Sequence, residues 1–348
     1  MWKLKEPSQT LIDWYKDKML DGLCDRIRNK KGDDGNILLS PEIQDILIPK
    51  LDGVDDTSYL EKLLISKPQE LLALCTTLMG KIIPGYNDAE FEDFLKVKNK
   101  TNRTQGETAL YNKYNDTLRN LLKVFDYETQ ISENKSRAYK LTMEQGRNTC
   151  TYCNRQYVIT VGGKNDASRI VRPELDHWFS KELFPLMSLS LYNLIPSCSI
   201  CNSSIKGNTI FRLDSHVHPY LDETPSEPQF KFKYKLTKES KWEVVIDKSN
   251  DLKEKNMIET FKLEDLYKHH GELEVKDILL FKYQNSDSYL KYLLKNLLVR
   301  YKYSEREVYR MMFGTEIESS SLLDRPFSKL KKDILTQLGI LENGHFKI

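Results

Sequence analysis

The chain has 348 residues, more than one typical domain needs, so one large core or two to three modules would fit its length. Hydrophobic residues make up 39% and charged residues 30%, a balance that argues against disorder and favours ordinary globular packing. A net charge of +2 excludes a global attraction to nucleic acid, so any phosphate binding depends on locally clustered Lys and Arg.

The first twenty residues do not have the pattern of a leader or a membrane anchor. Charges interrupt the apolar positions of MWKLKEPSQTLIDWYKDKML. No run in the chain approaches the roughly 18 apolar residues that a membrane span requires. We therefore expect a cytoplasmic protein with no membrane association.

Residues 1 to 145 have the periodicity of amphipathic helices. The first predicted helix carries apolar residues on one face, at Leu11, Tyr15, Met19, Leu23 and Ile27. Another helix is predicted to begin at Pro68, and a third lies within residues 106 to 125. None of these segments contains a catalytic set of side chains. The sequence therefore predicts a helical N-terminal region.

Four of the six cysteines form two Cys-x-x-Cys pairs. CTYC supplies Cys150 and Cys153, and CSIC supplies Cys198 and Cys201. Four thiolates in two such pairs are the ligands that hold tetrahedral zinc, and a closed four-thiolate site is structural. A redox motif usually needs only one pair, and a disulfide framework is not expected in the cytosol. The pattern therefore predicts one structural Zn²⁺.

The two pairs are separated by 44 residues, well beyond the tight loops of small zinc fingers, which indicates a functional insert. RQYVITVGG and NDASRIVRPELDHW are β-rich runs that predict a hairpin, with Asp176 and His177 on its second strand. A short helix carrying Asn202 and Lys206 is predicted after the second pair. The expected result is strand, strand and helix around a metal.

The C-terminal region is predicted to form a hairpin followed by helices. Apolar residues alternate along both arms of PQFKFKYKLTKESKWEVVIDK. Ser304 and Glu307 form a candidate capping box, and Gly314 and Gly339 are candidate helix ends. The predicted fold is α+β and mainly helical, in three regions: residues 1–145, 146–212 and 213–348.

The central residues resemble a known family, the HNH endonucleases, which have a ββα-metal fold and here a four-cysteine zinc site. LDHW resembles the Asp-His element of the family, LYNLIPSC its central Asn element, and CSICNSSIKGN its closing Cys-x-x-Cys-His/Asn element. The resemblance covers about residues 146 to 210, under a fifth of the chain. It implies an endonuclease that hydrolyses phosphodiester bonds in nucleic acid, with DNA as the expected substrate.

The resemblance also implies a role for each matched residue. His177 would be the general base, Asp176 and Asn202 would be ligands of a catalytic divalent ion, and Asn193 would brace the loop that positions the histidine. Asn202 stands where the family more commonly has His. Because an amide oxygen is a harder ligand than imidazole, this position favours Mg²⁺ or Mn²⁺ over Zn²⁺.

The same residues suit the chemistry of phosphodiester hydrolysis, which needs an activated water and positive charge on the transition state. The neutral imidazole of His177 can accept a proton from water, and a divalent ion can supply the charge. Neighbouring side chains on a strand point to opposite faces, so Asp176 and His177 share a site only if a twist or bulge changes the alternation.

Basic residues around the insert are candidates for contacts with phosphate. The candidates are Lys206, Lys181, Arg155, Arg172 and Arg169. The alternative for Lys206 is a residue that ends a helix, and for the others it is a solvated surface.

Longer segments are similar to the HNH proteins of bacterial anti-phage systems, such as the PtuB-like nucleases that accompany an ATPase. These segments are CTYCNRQYV, LDHWFSKELFPLMSLSLYNLIPSC and DRPFSKLKKDILTQLG. The similarity implies an antiviral effector whose flanks, residues 1 to 145 and 250 to 348, dock an ATPase regulator. Two alternatives remain open: the flanks only enlarge the core, or the protein is a zinc-stabilised DNA-binding or adaptor protein with an inactive nuclease-like loop.

Overall fold

The computed structural model describes residues 2–162, 170–207 and 209–347. Thirteen α-helices and eight short strands form within this part of the chain, and the strands pair two by two into four antiparallel sheets. The predicted mainly helical class is therefore confirmed. No helix among these residues is both long enough and apolar enough to cross a membrane.

The N-terminal region is helical, with one small two-stranded sheet, β1 (Lys50–Leu51) and β2 (Val54–Asp55). Its helices are α1 (Gln9–Asn29), α2 (Pro41–Leu47), α3 (Ser58–Ile65), α4 (Pro68–Ile82), α5 (Asp88–Val97), α6 (Gln105–Val124) and α7 (Lys135–Gln145). The predicted face of α1 is confirmed, because its five apolar residues are all buried. Pro68 occupies the first turn of α4, where its missing N–H costs nothing.

The centre is built on the strands β3 (Glu174–His177) and β4 (Leu194–Ser197), which pair antiparallel. Asp176 lies opposite Ile195 and His177 opposite Leu194. A π-helical segment, Ile200–Lys206, begins three residues after the end of β4 and carries the last cysteine of the second pair.

The hairpin predicted from residues 155–163 and 165–178 is wrong in its placement of Asp176 and His177, and its turn at residues 163–169 lies outside the described residues. In the described part of these runs a single bridge joins Val161 to Val171, and the strand that carries Asp176 pairs with β4 instead. The physical reason is burial. Leu194 and Ile195 of β4 are completely buried, whereas Val161 and Val171 remain 40% and 48% exposed, so pairing with β4 removes more apolar surface from water.

The predicted C-terminal hairpin is confirmed as β5 (Lys231–Leu236) and β6 (Trp242–Asp247), with Phe232 opposite Ile246. The capping box at Ser304 and the left-handed conformation of Gly314 are also confirmed. The remaining elements are α8 (Leu252–Thr260), α9 (Leu263–Lys268), α10 (Lys276–Gln284), α11 (Asp287–Lys295), α12 (Glu305–Phe313), α13 (Ser328–Gln337), β7 (Leu341–Glu342) and β8 (His345–Phe346).

Both flanks hold the central residues in place. One cluster of buried side chains extends from Trp2 to Phe346 and includes the four central cysteines. Hydrogen bonds reinforce this packing. The Tyr15 hydroxyl of α1 donates to the Leu189 carbonyl at 2.7 Å, and the Thr149 hydroxyl donates to the Leu323 carbonyl at 2.6 Å. The flanks therefore position the central loop and the first cysteine pair.

Gly271 marks a close approach between the residues after α9 and the strand β6. A Cβ atom at Gly271 would lie 2.1 Å from the carbonyl oxygen of Trp242. We expect Gly271→Ala to lower the free energy of unfolding by about 1–3 kcal/mol, because the backbone must shift to admit the methyl group. Urea denaturation followed by circular dichroism measures the change.

Gly80→Ala is the matched control, because a Cβ atom at Gly80 in α4 meets no heavy atom within 4 Å. This substitution should raise the free energy of unfolding by about 0.5–1 kcal/mol, since alanine loses less backbone entropy in a helix. Equal stability of wild type and Gly271→Ala would contradict the close approach to β6.

Candidate functional site

The two Cys-x-x-Cys pairs meet in one buried cluster. The sulfur atoms of Cys150, Cys153, Cys198 and Cys201 all lie within 4.8 Å of one another. A tetrahedral zinc with Zn–S bonds of about 2.3 Å places its sulfurs roughly 3.8 Å apart, so the cluster fits such an ion. Among the described residues, no other group of three or more Cys, His, Asp or Glu is close enough to hold a metal. The four cysteines can therefore bind a metal ion such as zinc.

The backbone around the cluster supports negatively charged sulfur. The amide of Cys198 donates to the Cys150 sulfur at 3.3 Å, and the amide of Arg155 donates to the Cys153 sulfur at 3.4 Å. Such outer contacts orient thiolate ligands and favour their charged form. Asn154 makes the turn with a φ of 50°, and its side-chain amide donates to the Leu322 carbonyl at 3.0 Å.

Asp176 of β3 is buried, and both of its carboxylate oxygens accept hydrogen bonds. The Lys206 ammonium lies 2.8 Å from each of its carboxylate oxygens, and the Tyr152 hydroxyl donates to Oδ2. Lys206 also donates to the carbonyl oxygen of His177. Its three N–H groups are thus directed at protein acceptors, so Lys206 ties the π-helical segment to β3. In this arrangement it offers no free N–H to a phosphate.

His177 lies at the end of β3 with a defined tautomer. Its Nε2 is 2.9 Å from the carbonyl oxygen of Ser188. A carbonyl only accepts, so Nε2 carries the proton and Nδ1 keeps its lone pair. No hydrogen bond joins Nδ1 to another described residue. Burial lowers the pKa of His177 to about 3, so the imidazole is neutral.

Asn193 closes the loop that joins β3 to β4. Its side-chain oxygen accepts from the Phe179 amide at 2.6 Å, and its side-chain nitrogen donates to the carbonyls of Phe179 and Met187, both at 3.0 Å. The residue is completely buried. Because Ser188 follows Met187, these bonds hold the segment that contacts the His177 ring.

Asn202 lies across from Glu174, a carboxylate that the sequence prediction missed. The Asn202 amide nitrogen donates to Glu174 Oε2 at 2.9 Å, and the Ser203 hydroxyl donates to the same oxygen at 2.9 Å. The available signal was spacing: Glu174 and Asp176 are two residues apart on a strand, so both side chains leave the same face. The amide oxygen of Asn202 accepts no hydrogen bond from the described residues.

These side chains line one open cleft of about 450 Å³. Its walls include Glu174, Asp176, His177, Asn202 and Lys206, together with Arg172 and Lys181. Asp176 and His177 both reach it although they are neighbours. His177 is the last paired residue of β3, so the alternation of a regular strand ends there. The cleft therefore combines a neutral imidazole, two carboxylates and an amide.

Only some of the predicted phosphate contacts line the cleft. Lys181 lines the cleft and pairs with Glu128, and Arg172 lines it while donating to the Ser132 carbonyl at 3.0 Å. Arg155 does not line the cleft and instead donates to His270 Nε2 at 3.1 Å. Arg169 lies outside the described residues.

Comparisons of the chain with protein families, with curated proteins and with solved structures found no match. The functional argument therefore depends on the chemistry of the cysteine cluster and of the cleft.

We expect one tightly held zinc per chain. Cys198→Ser should lose most of this zinc and unfold the centre, because the two pairs close the cluster only together. Elemental analysis of protein prepared without chelators measures the zinc, and circular dichroism measures the unfolding.

Cys24→Ser is the control, since Cys24 is a half-buried thiol of α1 outside the cluster and its loss should leave the zinc in place. Wild-type protein without zinc, or a Cys198→Ser variant of undiminished stability, would refute the zinc site.

The Lys206–Asp176 pair should make a large contribution to stability. Lys206→Met leaves a buried carboxylate without its counter-ion, so we expect the free energy of unfolding to fall by about 3–5 kcal/mol. The double variant Lys206→Met/Asp176→Asn should recover a substantial part of the lost free energy of unfolding, because it removes the unpaired carboxylate as well. Denaturant unfolding of the zinc-loaded proteins measures all three.

Lys181→Met is the matched control, because its partner Glu128 is about half exposed. Removing such a surface pair should change the free energy of unfolding by at most about 1 kcal/mol. If Lys206→Met and Lys181→Met lowered the free energy of unfolding equally, burial of the Lys206–Asp176 pair would not account for its contribution to stability.

Proposed function

We propose that the protein is a metal-dependent endonuclease of the HNH type that hydrolyses phosphodiester bonds in DNA. One observation carries the proposal: Asp176 and His177 line one cleft together with Asn202, which lies 25 residues further along the chain, and the same chain carries a four-cysteine cluster. The order β3, β4 and Ile200–Lys206 is consistent with a ββα arrangement. These three residues of the cleft are among those to which the resemblance to HNH endonucleases assigns a role, and the fourth, Asn193, does not line the cleft.

His177 is the general base in this proposal. With Nε2 committed to the Ser188 carbonyl, Nδ1 is the atom that accepts a proton from the attacking water. Asn193 acts through the backbone: it holds the loop that carries Ser188, and Ser188 sets the orientation of the imidazole. His177 is therefore the catalytic residue, and Asn193 is a positioning residue.

The cleft also offers hard oxygen donors of the type that bind Mg²⁺ or Mn²⁺. Asp176 Oδ1 accepts only from Lys206 among the described residues, so it keeps a lone pair, and the Asn202 amide oxygen is unengaged by them. Asp176, Asn202 and Glu174 would hold the ion. When bound, a divalent ion stabilises the negative charge that develops on the phosphate oxygens.

Lys181 and Arg172 are the proposed contacts to the DNA backbone. Both line the cleft, and Lys181 is paired with the exposed carboxylate of Glu128. Exposed pairs of this kind are weak, so a phosphate can replace Glu128 at little cost.

A zinc-stabilised DNA-binding or adaptor protein with an inactive cleft is the second candidate. The observation in its favour is that the Lys206 ammonium already neutralises Asp176, the carboxylate that the nuclease needs as a metal ligand. This candidate keeps the cysteine cluster and binds DNA without cutting it.

Cleavage of supercoiled plasmid with added Mg²⁺ or Mn²⁺ tests the two candidates. We expect the wild-type protein to cut. His177→Ala should cut at least about 100-fold more slowly, with unchanged zinc content and DNA affinity, because a general base acts in the transition state. Asp176→Ala and Asn202→Ala should raise the concentration of divalent ion that cleavage requires.

His269→Ala is the control, because His269 is exposed and does not line the cleft. A His177→Ala protein that cuts at the wild-type rate would show that the site assignment is wrong. DNA binding without cutting by the wild-type protein would favour the adaptor.

We further propose a cytoplasmic anti-phage role with an ATPase regulator, which rests on the similarity to PtuB-like nucleases. Because both flanks pack on the central residues, the full-length chain is the form to test. An ATPase encoded by an adjacent gene should co-purify with the chain and change its rate of plasmid cutting. No association in pull-down experiments, and an unchanged rate, would contradict this role.

A further inference from the structure

Exposed tyrosines are concentrated in one stretch of the chain, which runs from the end of α10 through α11 to the residues after it. Five tyrosines there are between 43% and 73% exposed: Tyr283, Tyr289, Tyr292, Tyr301 and Tyr303, hereafter the tyrosine face. Among the described residues, Tyr157 is the one other tyrosine with comparable exposure. A cluster of exposed aromatic rings indicates a binding surface, because single exposed rings scatter at random but clusters do not.

The helix α11 shows why these rings remain in solvent. Leu290 and Leu294 are its buried residues and attach it to the core. Lys291 and Lys295 lie one turn apart, with Tyr292 between them in sequence, and all three are exposed. The outer side of α11 therefore alternates aromatic rings with cations and has no partner within the described chain.

The charge of residues 283–303 is one-sided. Lys291, Lys295, Arg300 and Lys302 are exposed, and none of them makes an ion pair with a described residue. The one acidic residue from 283 to 303 is Asp287, whose carboxylate is already paired with Lys282 at 2.5 Å. The surface is therefore complementary to a polyanion.

Aromatic rings combined with unpaired cations match a single nucleic-acid strand. Unpaired bases offer flat faces on which tyrosine rings stack, while the phosphates meet the cations. In a duplex the base faces are hidden, and the rings would find nothing to stack on. A partner protein would leave the four cations without counter-charges unless it were strongly acidic.

We propose that the tyrosine face holds single-stranded DNA. The choice of DNA as the anion rests on the proposed nuclease function, and the face extends that function by keeping an unpaired strand on the enzyme. Arg300 supports this use, since its guanidinium lies 5.8 Å from the centre of the Tyr301 ring and joins the cationic and the stacking elements.

Fluorescence anisotropy with a labelled oligothymidylate tests the proposal on the full chain, without added divalent ion so that no cutting interferes. Tyr292→Ala and Tyr301→Ala should each weaken binding at least about fivefold, the lower limit for loss of one stacked base. Tyr292→Phe keeps the ring and should bind like the wild type. All substituted positions are exposed, so thermal unfolding should be unchanged.

The salt dependence provides a second measurement. Lys291→Gln/Lys295→Gln should reduce the slope of log affinity against log salt by about 1.4, since each phosphate contact on a single strand contributes about 0.7. Lys238→Gln is the control, because Lys238 is an exposed lysine of the β5–β6 turn that makes no ion pair with a described residue.

Unchanged affinity in both alanine variants would overturn the proposal. A changed oligomeric state in sedimentation analysis, with unchanged DNA affinity, would instead make the tyrosine face a self-association surface and would also overturn it. These experiments distinguish failure of the nuclease proposal from failure of the tyrosine-face proposal. A wild-type protein that binds through this face but never cuts plasmid refutes the nuclease, whereas one that cuts and does not need the tyrosines refutes the face.

Discussion

Lys206 and Asp176 form an ion pair that is almost completely removed from solvent, and the cleft depends on it. The ammonium binds both oxygens of Asp176 and the carbonyl of His177, so one side chain joins the segment Ile200–Lys206 to the end of β3. A buried charge is tolerated only with a partner and satisfied hydrogen bonds, which restricts both residues to this arrangement. The pair therefore holds the segment that carries Asn202 against the end of β3 that carries His177.

The cysteine cluster and the flanks stabilise the same centre from outside. The cluster holds the segments before β3 and after β4 together, and hydrogen bonds from Tyr15 and Thr149 attach the loop and the first cysteine pair to opposite flanks. The proposed role of His177 requires such support, because the orientation of a catalytic imidazole must be maintained to within a fraction of an ångström. The long helical flanks thus have a structural role that does not depend on any partner.

Local patterns predicted the elements whose stability is local. The apolar face of α1, the capping box at Ser304 and the hairpin of β5 and β6 follow from periodicity and cap chemistry, which operate over a few residues. The pairing of β3 was predicted wrongly. Its neighbour run has strong β propensity, but propensity does not reveal how much apolar surface a pairing buries, and Leu194 and Ile195 bury more.

By itself, the sequence determined which residues are chemically suited to a metal cluster and to the proposed hydrolytic cleft, because spacing such as Cys-x-x-Cys is a property of the chain. Only the tertiary structure decided the neighbours of each group. It directed the ammonium of Lys206 to Asp176 instead of to solvent, brought Glu174 to Asn202, and took Arg155 away to His270. Side chains far apart in sequence come into contact only after the core has formed. Burial in that core then decides which charges must be paired.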